Sequence, residues 1–253
     1  MAGSLGEIRI GNVESHLQEV INRDGVAHLT LFDPEKLTPV AAKRLAAEVK
    51  RAGTTAAMVG GSTATSIYEL DAMVKAIKTS GLYTILFPND VAGLSRHADA
   101  VFFMSLLNSL NPYYLSGAQA LGAPLVKRYG IEPIPLAYLI IGANAGAAGF
   151  VGNANPIPHD KPELAAIYAL AAEYLGMRFV YLEAGSGAKQ NVSPDMIATV
   201  SKTSKMKIIV GGGIRTPSQA KTLAKAGANI IVTGTIAEKA SVRKLREIIR
   251  ALR

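Results

Sequence analysis

The chain contains no cysteine. Disulfides, thiolate metal sites and cysteine nucleophiles are therefore excluded, and the absence fits a cytoplasmic setting. Long apolar runs are missing too. The strongest, Ile134–Ile141, is far shorter than a membrane span and contains Pro135. Met1–Ile10 lacks an apolar secretory core, so no stable membrane insertion is expected and the cytoplasm is the expected location. The histidines show no metal-ligand spacing. His16 falls in an opening helical pattern, His28 reads as a packed interior strand residue, and His97 and His159 lie in polar stretches. No Ser-His-Asp arrangement stands out. The formal charge is +8, yet no basic block is interleaved with aromatics. Lys and Arg recur instead along helical segments such as Lys43-Arg44, Lys50-Arg51 and Arg243–Arg250. That is the pattern of solvated helix faces that attract small anions, and no nucleic-acid partner is expected.

What the chain does have is size and alternation. At 253 residues and 49% hydrophobic content it can bury a large core. Eight strand patterns are predicted: Ala27–Leu31, Ala56–Val59, Tyr83–Leu86, Ala100–Met104, Ile134–Ile140, Phe179–Leu182, Lys207–Val210 and Ile230–Thr233. Between and after them run helical patterns at Pro39–Ala52, Ser66–Thr79, Tyr113–Arg128, Pro162–Leu175, Ser193–Thr203, Pro217–Ala226 and Ser241–Leu252. Pro39, Pro162, Pro194 and Pro217 stand where a first-turn N–H has no intrahelical partner anyway, and Gly53, Gly130, Gly176 and Gly227 stand where helices stop. Eight β-then-α units predict a single (β/α)8 TIM barrel over residues 1–253, with an extra N-terminal helix near Val13–Arg23. A doubly wound open sheet is the rival, opposed by the lack of a Gly-x-Gly-x-x-Gly turn after the first strand. One unit is irregular. Between Leu86 and Ala100 there is little room for a helix, so the third helix is expected to be short or missing. Gly142–Asp160 reads as a long functional loop.

Three strands near the end close on glycine. Phe179-Val-Tyr-Leu-Glu183 runs into Ala184-Gly-Ser-Gly187, Lys207–Val210 into Gly211-Gly-Gly-Ile-Arg215, and Ile230–Thr233 into Gly234-Thr235. Glycine at a strand end lets backbone N–H groups approach a ligand, and barrel enzymes commonly hold phosphate after strands seven and eight. Three such turns on consecutive units predict one shared phosphate pocket. Asp33 follows strand one with Pro34 and Lys36 nearby; it suits a hard cation such as Mg²⁺, or is a turn aspartate. Ser62 or Thr63, beside Gly60-Gly61, could add a hydroxyl ligand. Glu183 at the end of strand six could accept a hydroxyl proton, or be a structural glutamate bonded to loop amides. Tyr181 shares its face by strand alternation, or fills the core.

These residues carry a resemblance. His28-Leu-Thr-Leu-Phe-Asp33-Pro, Gly60-Gly-Ser62, Tyr181-Leu-Glu-Ala-Gly-Ser-Gly187, Gly211-Gly-Gly-Ile-Arg215 and Gly234-Thr235 are similar to the motifs of the geranylgeranylglyceryl phosphate synthase family, which includes bacterial heptaprenylglyceryl phosphate synthase relatives. The resemblance spans about Val13 to Arg250, and the Tyr181–Gly187 string is its most specific part. It implies a Mg²⁺-dependent transfer of the geranylgeranyl group from geranylgeranyl diphosphate to the 3-hydroxyl of sn-glycerol 1-phosphate in archaeal ether-lipid synthesis, with release of diphosphate. By the same resemblance Asp33 and Ser62 hold the metal, and Asp33 and Glu183 are catalytic. Tyr181, Leu182, Glu183, Ala184, Gly185, Ser186, Gly187, Gly212, Gly213, Gly234 and Thr235 would hold glycerol 1-phosphate. The resemblance also implies the irregular third unit. Apolar helix faces and the Gly142–Val151 stretch make a homo-oligomer, dimer or hexamer, the expected state. The prenyl tail needs a groove, for which Leu86, Phe102, Met104, Tyr138 and Leu139 are wall candidates, while Tyr113-Tyr114 belongs to that groove or to an interface. One departure stands out: some relatives carry lysine two residues before the strand-one aspartate, where this chain has Leu31, so that a diphosphate contact would fall to Lys36. The alternatives are a sugar-phosphate isomerase or lyase, and a non-catalytic phosphate-ligand binding protein.

Overall fold

The computed structural model describes residues 10–61, 66–142, 146–234 and 242–252. Eight parallel strands close into one barrel in chain order, which removes the open-sheet alternative. They are β1 Ala27–Phe32, β2 Ala56–Val59, β3 Tyr83–Leu86, β4 Ala100–Leu106, β5 Glu132–Ile140, β6 Phe179–Glu183, β7 Lys207–Gly211 and β8 Ile230–Thr233. The helices are α1 Asn12–Asp24, α2 Pro39–Ala52, α3 Ile67–Lys78, α4 Ala118–Tyr129, α5 Gly146–Val151, α6 Pro162–Tyr174, α7 Pro194–Thr203, α8 Pro217–Lys225 and α9 Val242–Ala251. The unit after β3 holds only a 3₁₀ turn, Val91–Gly93, so the expected missing helix is observed. A short α5 occupies part of the segment expected to be a loop.

The helix starts follow from local chemistry. Proline opens α2, α6, α7 and α8. The Thr38, Ser193 and Thr216 hydroxyls accept N–H groups of the first turns, and Gln219 completes a reciprocal box with Thr216. Two apolar layers result from strand alternation. Outward residues such as Val59, Leu86, Leu139 and Leu182 pack under the helices. Inward residues such as Leu29, Met58, Phe102, Leu136 and Phe179 fill the barrel.

The amino ends of the strands are sealed. Val13, Leu17, Val20 and Ile21 of α1 join the interior cluster from below. The Glu132 carboxylate at the start of β5 accepts the first-turn N–H groups of Val13 (2.8 Å) and Glu14 (2.9 Å), where a negative charge suits the helix dipole. Fully buried Glu14 accepts two bonds from Arg178 at the start of β6, both 2.6 Å. Removing Arg178 would leave the Glu14 charge buried without its cation, at a cost of roughly 3–5 kcal/mol. Access is thereby confined to the opposite, carboxyl end.

Candidate active site

A cavity of about 590 Å³ opens at the carboxyl ends of the strands. Strand alternation builds its floor, because inward positions past the last packed layer face empty space: Leu31 on β1 and Asp33 just after it, Gly60 after β2, Phe87 after β3, Met104 on β4, Tyr138 on β5, Tyr181 and Glu183 on β6, and Val232 on β8 with Gly234 just after it. Phe87, Tyr138 and Tyr181 meet one another at ring centroid distances of 5.2–5.6 Å, so the floor beside Glu183 is aromatic.

The glycine turns line one side of this cavity. Gly185, Ser186, Gly187, Gly212, Gly213 and Gly234 all border it, as the three-turn pattern predicts, and Thr235 lies outside the described residues. Gly212 and Gly213 have φ of 90° and 69°, a region an L side chain rarely adopts. A Cβ at Gly212 would stand 2.8 Å from a Glu183 oxygen and 2.8 Å from the Gly185 nitrogen. Both conformation and space therefore require glycine there. Leu182 and Ala184 differ from the rest of their string. Their side chains pack into the outer layer and the Ala184 N–H is bonded to the Gly211 carbonyl, so neither borders the cavity.

Glu183 sits where the glycine side meets the aromatic floor. It is buried, and burial raises its carboxyl pKa above the ordinary carboxylate value. Hydrogen bonds from the Tyr181 hydroxyl and from the Gly185 N–H (2.6 Å) oppose that rise. The structural reading of Glu183 is met by its bond to a loop amide, and the same carboxylate borders open space. Tyr181 and Tyr138 are buried phenols whose pKa values are pushed well up, first by burial and then by the Glu183 charge. They stay neutral hydrogen-bond donors.

Across the cavity, Asp33 is buried and borders the same space. Its Oδ1 accepts the Glu35 N–H at 3.1 Å, which is the turn role, and its Oδ2 accepts from the Lys36 ammonium at 2.5 Å. Gly61 leaves Oδ1 uncovered on one side, since a Cβ there would lie 2.8 Å away. No cluster of three His, Cys, Asp or Glu side chains occurs among the described residues. A carboxylate with one oxygen face left open beside the cavity is a donor set that suits Mg²⁺, which takes one or two carboxylates and completes its shell with water and substrate oxygens. Ser62, the expected second ligand, lies outside the described residues.

Between β3 and α4 the cavity continues as an apolar channel. Because no helix covers that unit, the outward side chains Val101 and Phe103 of β4 line it together with Val91, Leu94, Gly122 and Val126. Phe102, Met104 and Tyr138 border the cavity as expected from the sequence. Leu86 and Leu139 do not, because alternation turns both into the helical layer. A π-helical turn, Tyr113–Gly117, opens α4 and brings Tyr114 to the channel. Its spare carbonyls are taken by Ser105 Oγ, which donates to Leu115 (2.7 Å), and by Gln119, which donates to Tyr114 (3.2 Å). Alternation and the missing helix together would have identified Val101 and Phe103 from sequence; Gly122 carried no signal of its own. His28 is an interior residue as expected: its ring nitrogens meet Thr54 (2.6 Å) and Thr233 (3.0 Å), and burial lowers its pKa to about 3.

With this geometry in view, the similarities are specific. Residues 18–252 match the PcrB family. A geranylgeranylglyceryl phosphate synthase of Thermococcus kodakarensis is 54% identical over 247 residues, covering 97% of each chain. One from Pyrococcus abyssi is 51% identical over 252 residues, 97% of this chain and all of that one. The crystal structure of (S)-3-O-geranylgeranylglyceryl phosphate synthase from Thermoplasma acidophilum, in complex with substrate sn-glycerol-1-phosphate, superposes with a TM-score of 0.91 at 42% identity, covering 96% of this chain and 99% of that one. A thiamine phosphate pyrophosphorylase from Pyrococcus furiosus shares the fold at 15% identity and a TM-score of 0.59. Identity of this extent over nearly the whole chain, joined to the matching barrel, makes the chain a member of the PcrB family, among the geranylgeranylglyceryl phosphate synthases.

Proposed function

We propose that this chain transfers a geranylgeranyl group from geranylgeranyl diphosphate to the 3-hydroxyl of sn-glycerol 1-phosphate, releasing diphosphate. The observation that carries this reading is one continuous cavity with a glycine-lined side, a buried glutamate and an apolar channel, in that order. The glycine side receives the acceptor phosphate on backbone N–H groups and fixes the glycerol. Holding both reactants in line removes much of the entropic part of the barrier. The Glu183 carboxylate accepts the hydroxyl proton as the oxygen bonds to C1 of the prenyl group. The C1–O bond to diphosphate breaks with its electron pair staying on the diphosphate. A carboxyl whose pKa is raised by burial is a stronger base than a free one, which suits this task. The neutral Tyr181 hydroxyl orients Glu183, and the Phe87, Tyr138 and Tyr181 rings keep water from the reacting carbon.

Asp33, with Ser62, would hold Mg²⁺ at the diphosphate end. Bound there, the ion would offset the charge that develops on the departing diphosphate. Lys36, already at Asp33, is a cation bordering that end of the cavity, in keeping with a diphosphate there.

Assembly into a homo-oligomer and a cytoplasmic location belong to the same proposal. No helix among the described residues is long and apolar enough to cross a membrane. On α6 the buried face is Ala165, Ala166, Ala169 and Ala172, while Leu164, Ile167, Tyr168 and Tyr174 are exposed. An uncharged stripe at three- and four-residue spacing on the outer face supports a self-complementary contact. Ile167→Glu is expected to lower the mass measured by analytical ultracentrifugation; an unchanged mass removes α6 from the interface.

The activity test is direct. Protein, Mg²⁺, labelled sn-glycerol 1-phosphate and geranylgeranyl diphosphate should give label that partitions into organic solvent, and chelation should abolish it. Label that stays in water contradicts the proposal.

A further inference from the structure

Two side chains that the reaction does not use tie the glycine loops to each other. Arg215, in the β7–α8 loop, donates from one Nη2 to the carbonyls of Gly187 (2.8 Å) and Ala188 (2.9 Å) in the β6–α7 loop. Asn191, in the β6–α7 loop, returns the tie: its Nδ2 donates to the Gly212 carbonyl at 2.7 Å. The loops touch between these bonds, since a Cβ at Gly213 would lie 2.6 Å from the Ala188 oxygen and 3.0 Å from the Asn191 nitrogen.

All three acceptors are carbonyls of the segments that form the glycine side. This matters because glycine occupies both signs of φ with similar ease, so the peptide planes beside it turn over at little cost. A turned peptide would present the negative end of its carbonyl where an anion needs an N–H. A donor held on the carbonyl opposes that reversal. We infer that Arg215 and Asn191 are positioning residues, which keep the glycine side in its anion-binding orientation by engaging the carbonyls of Gly187, Ala188 and Gly212. The inference rests on the reading of this side as a phosphate site. Asn191 is neutral and acts through its hydrogen bond alone, whereas Arg215 also borders the cavity as a positive charge. The Arg215 backbone N–H belongs to a separate network, bonded to Gln219 at 2.8 Å, so a change of side chain leaves the start of α8 intact.

Calorimetric titration of inorganic phosphate and of sn-glycerol 1-phosphate into wild type, Asn191→Leu, Arg215→Met and Arg215→Lys tests it. Asn191→Leu and Arg215→Met should each weaken both anions by about tenfold, the worth of one hydrogen bond. Arg215→Lys should recover much of the loss, because an ammonium can also donate to two carbonyls. The KM for prenyl diphosphate and the Tm should stay at wild-type values. Unchanged anion affinity in Asn191→Leu and Arg215→Met overturns the inference, as does a parallel rise in the prenyl diphosphate KM. Should Asn191→Leu fail to fold, the exposed Arg215 pair decides alone: a loss in Arg215→Met that disappears at high salt would mark a charge effect only, and overturn it. If wild type binds phosphate but not glycerol phosphate, while the variants still weaken phosphate, the positioning role stands and the proposed acceptor is wrong.

Discussion

The two sides of the cavity are built on opposite principles. From β6 to β8, the described loops carry glycines, the polar cross-ties of Asn191 and Arg215, and the buried Glu183. Around β3 and β4 there is one 3₁₀ turn where a helix would stand, and both faces of β4 are left to line an apolar channel. Under the proposed function, the difference is how one repeated β/α unit would serve two ligands. Keeping the loop short and glycine-rich presents backbone dipoles; leaving out the helix uncovers hydrocarbon.

Substitutions should therefore separate by side. Glu183→Gln, at the junction, should have the largest effect, lowering kcat by about 10²–10⁴-fold with little change in either KM. Steady-state kinetics with each substrate varied in turn checks this, and a KM effect alone would make Glu183 a binding residue. Gly212→Ala should come next. It forces a side chain into a positive-φ position and against Glu183, a strain of about 1–3 kcal/mol, which should appear mainly in the KM for glycerol phosphate. Gly122→Leu is its counterpart in the channel. Filling that space should cost the geranylgeranyl donor about tenfold in kcat/KM relative to a shorter prenyl diphosphate, and leave glycerol phosphate affinity unchanged. If both glycine variants alter both KM values equally, the two-sided description is wrong.

The smallest expected effect is in the pH profile. Burial raises the Glu183 pKa, so the acid limb of kcat/KM should lie above the ordinary carboxylate range of about 4.3. The Tyr181 hydroxyl lowers that pKa by bonding the charged form. Removing it in Tyr181→Phe should leave the carboxyl easier to protonate and move the limb to higher pH. A limb that stays in place detaches it from Glu183.

Most of the barrel and the glycine side were legible in the sequence, because each rests on local chemistry. Proline and hydroxyl caps open the helices, glycine closes the strands, and alternation aligns Tyr181 with Glu183. The channel was legible only in part. The missing third helix could be read from the few residues between Leu86 and Ala100, and its consequence follows only when alternation on the neighbouring strand is read together with it. Val101 and Phe103 face outward on β4 and would be ordinary core under a helix; here they line the channel, while Leu86 and Leu139 remain under helices. Arg215 ends the Gly211–Arg215 motif, yet its partners Gly187 and Ala188 come from another loop, a relation no spacing along the chain reveals.

A crystal structure of the protein with sn-glycerol 1-phosphate bound tests the central claim most directly. The phosphate should lie on the backbone N–H groups around Gly212, Gly213 and Gly234, with the 3-hydroxyl within hydrogen-bonding distance of a Glu183 oxygen. A phosphate seated instead beside Asp33 and Lys36, with the glycine loops unengaged, would contradict it.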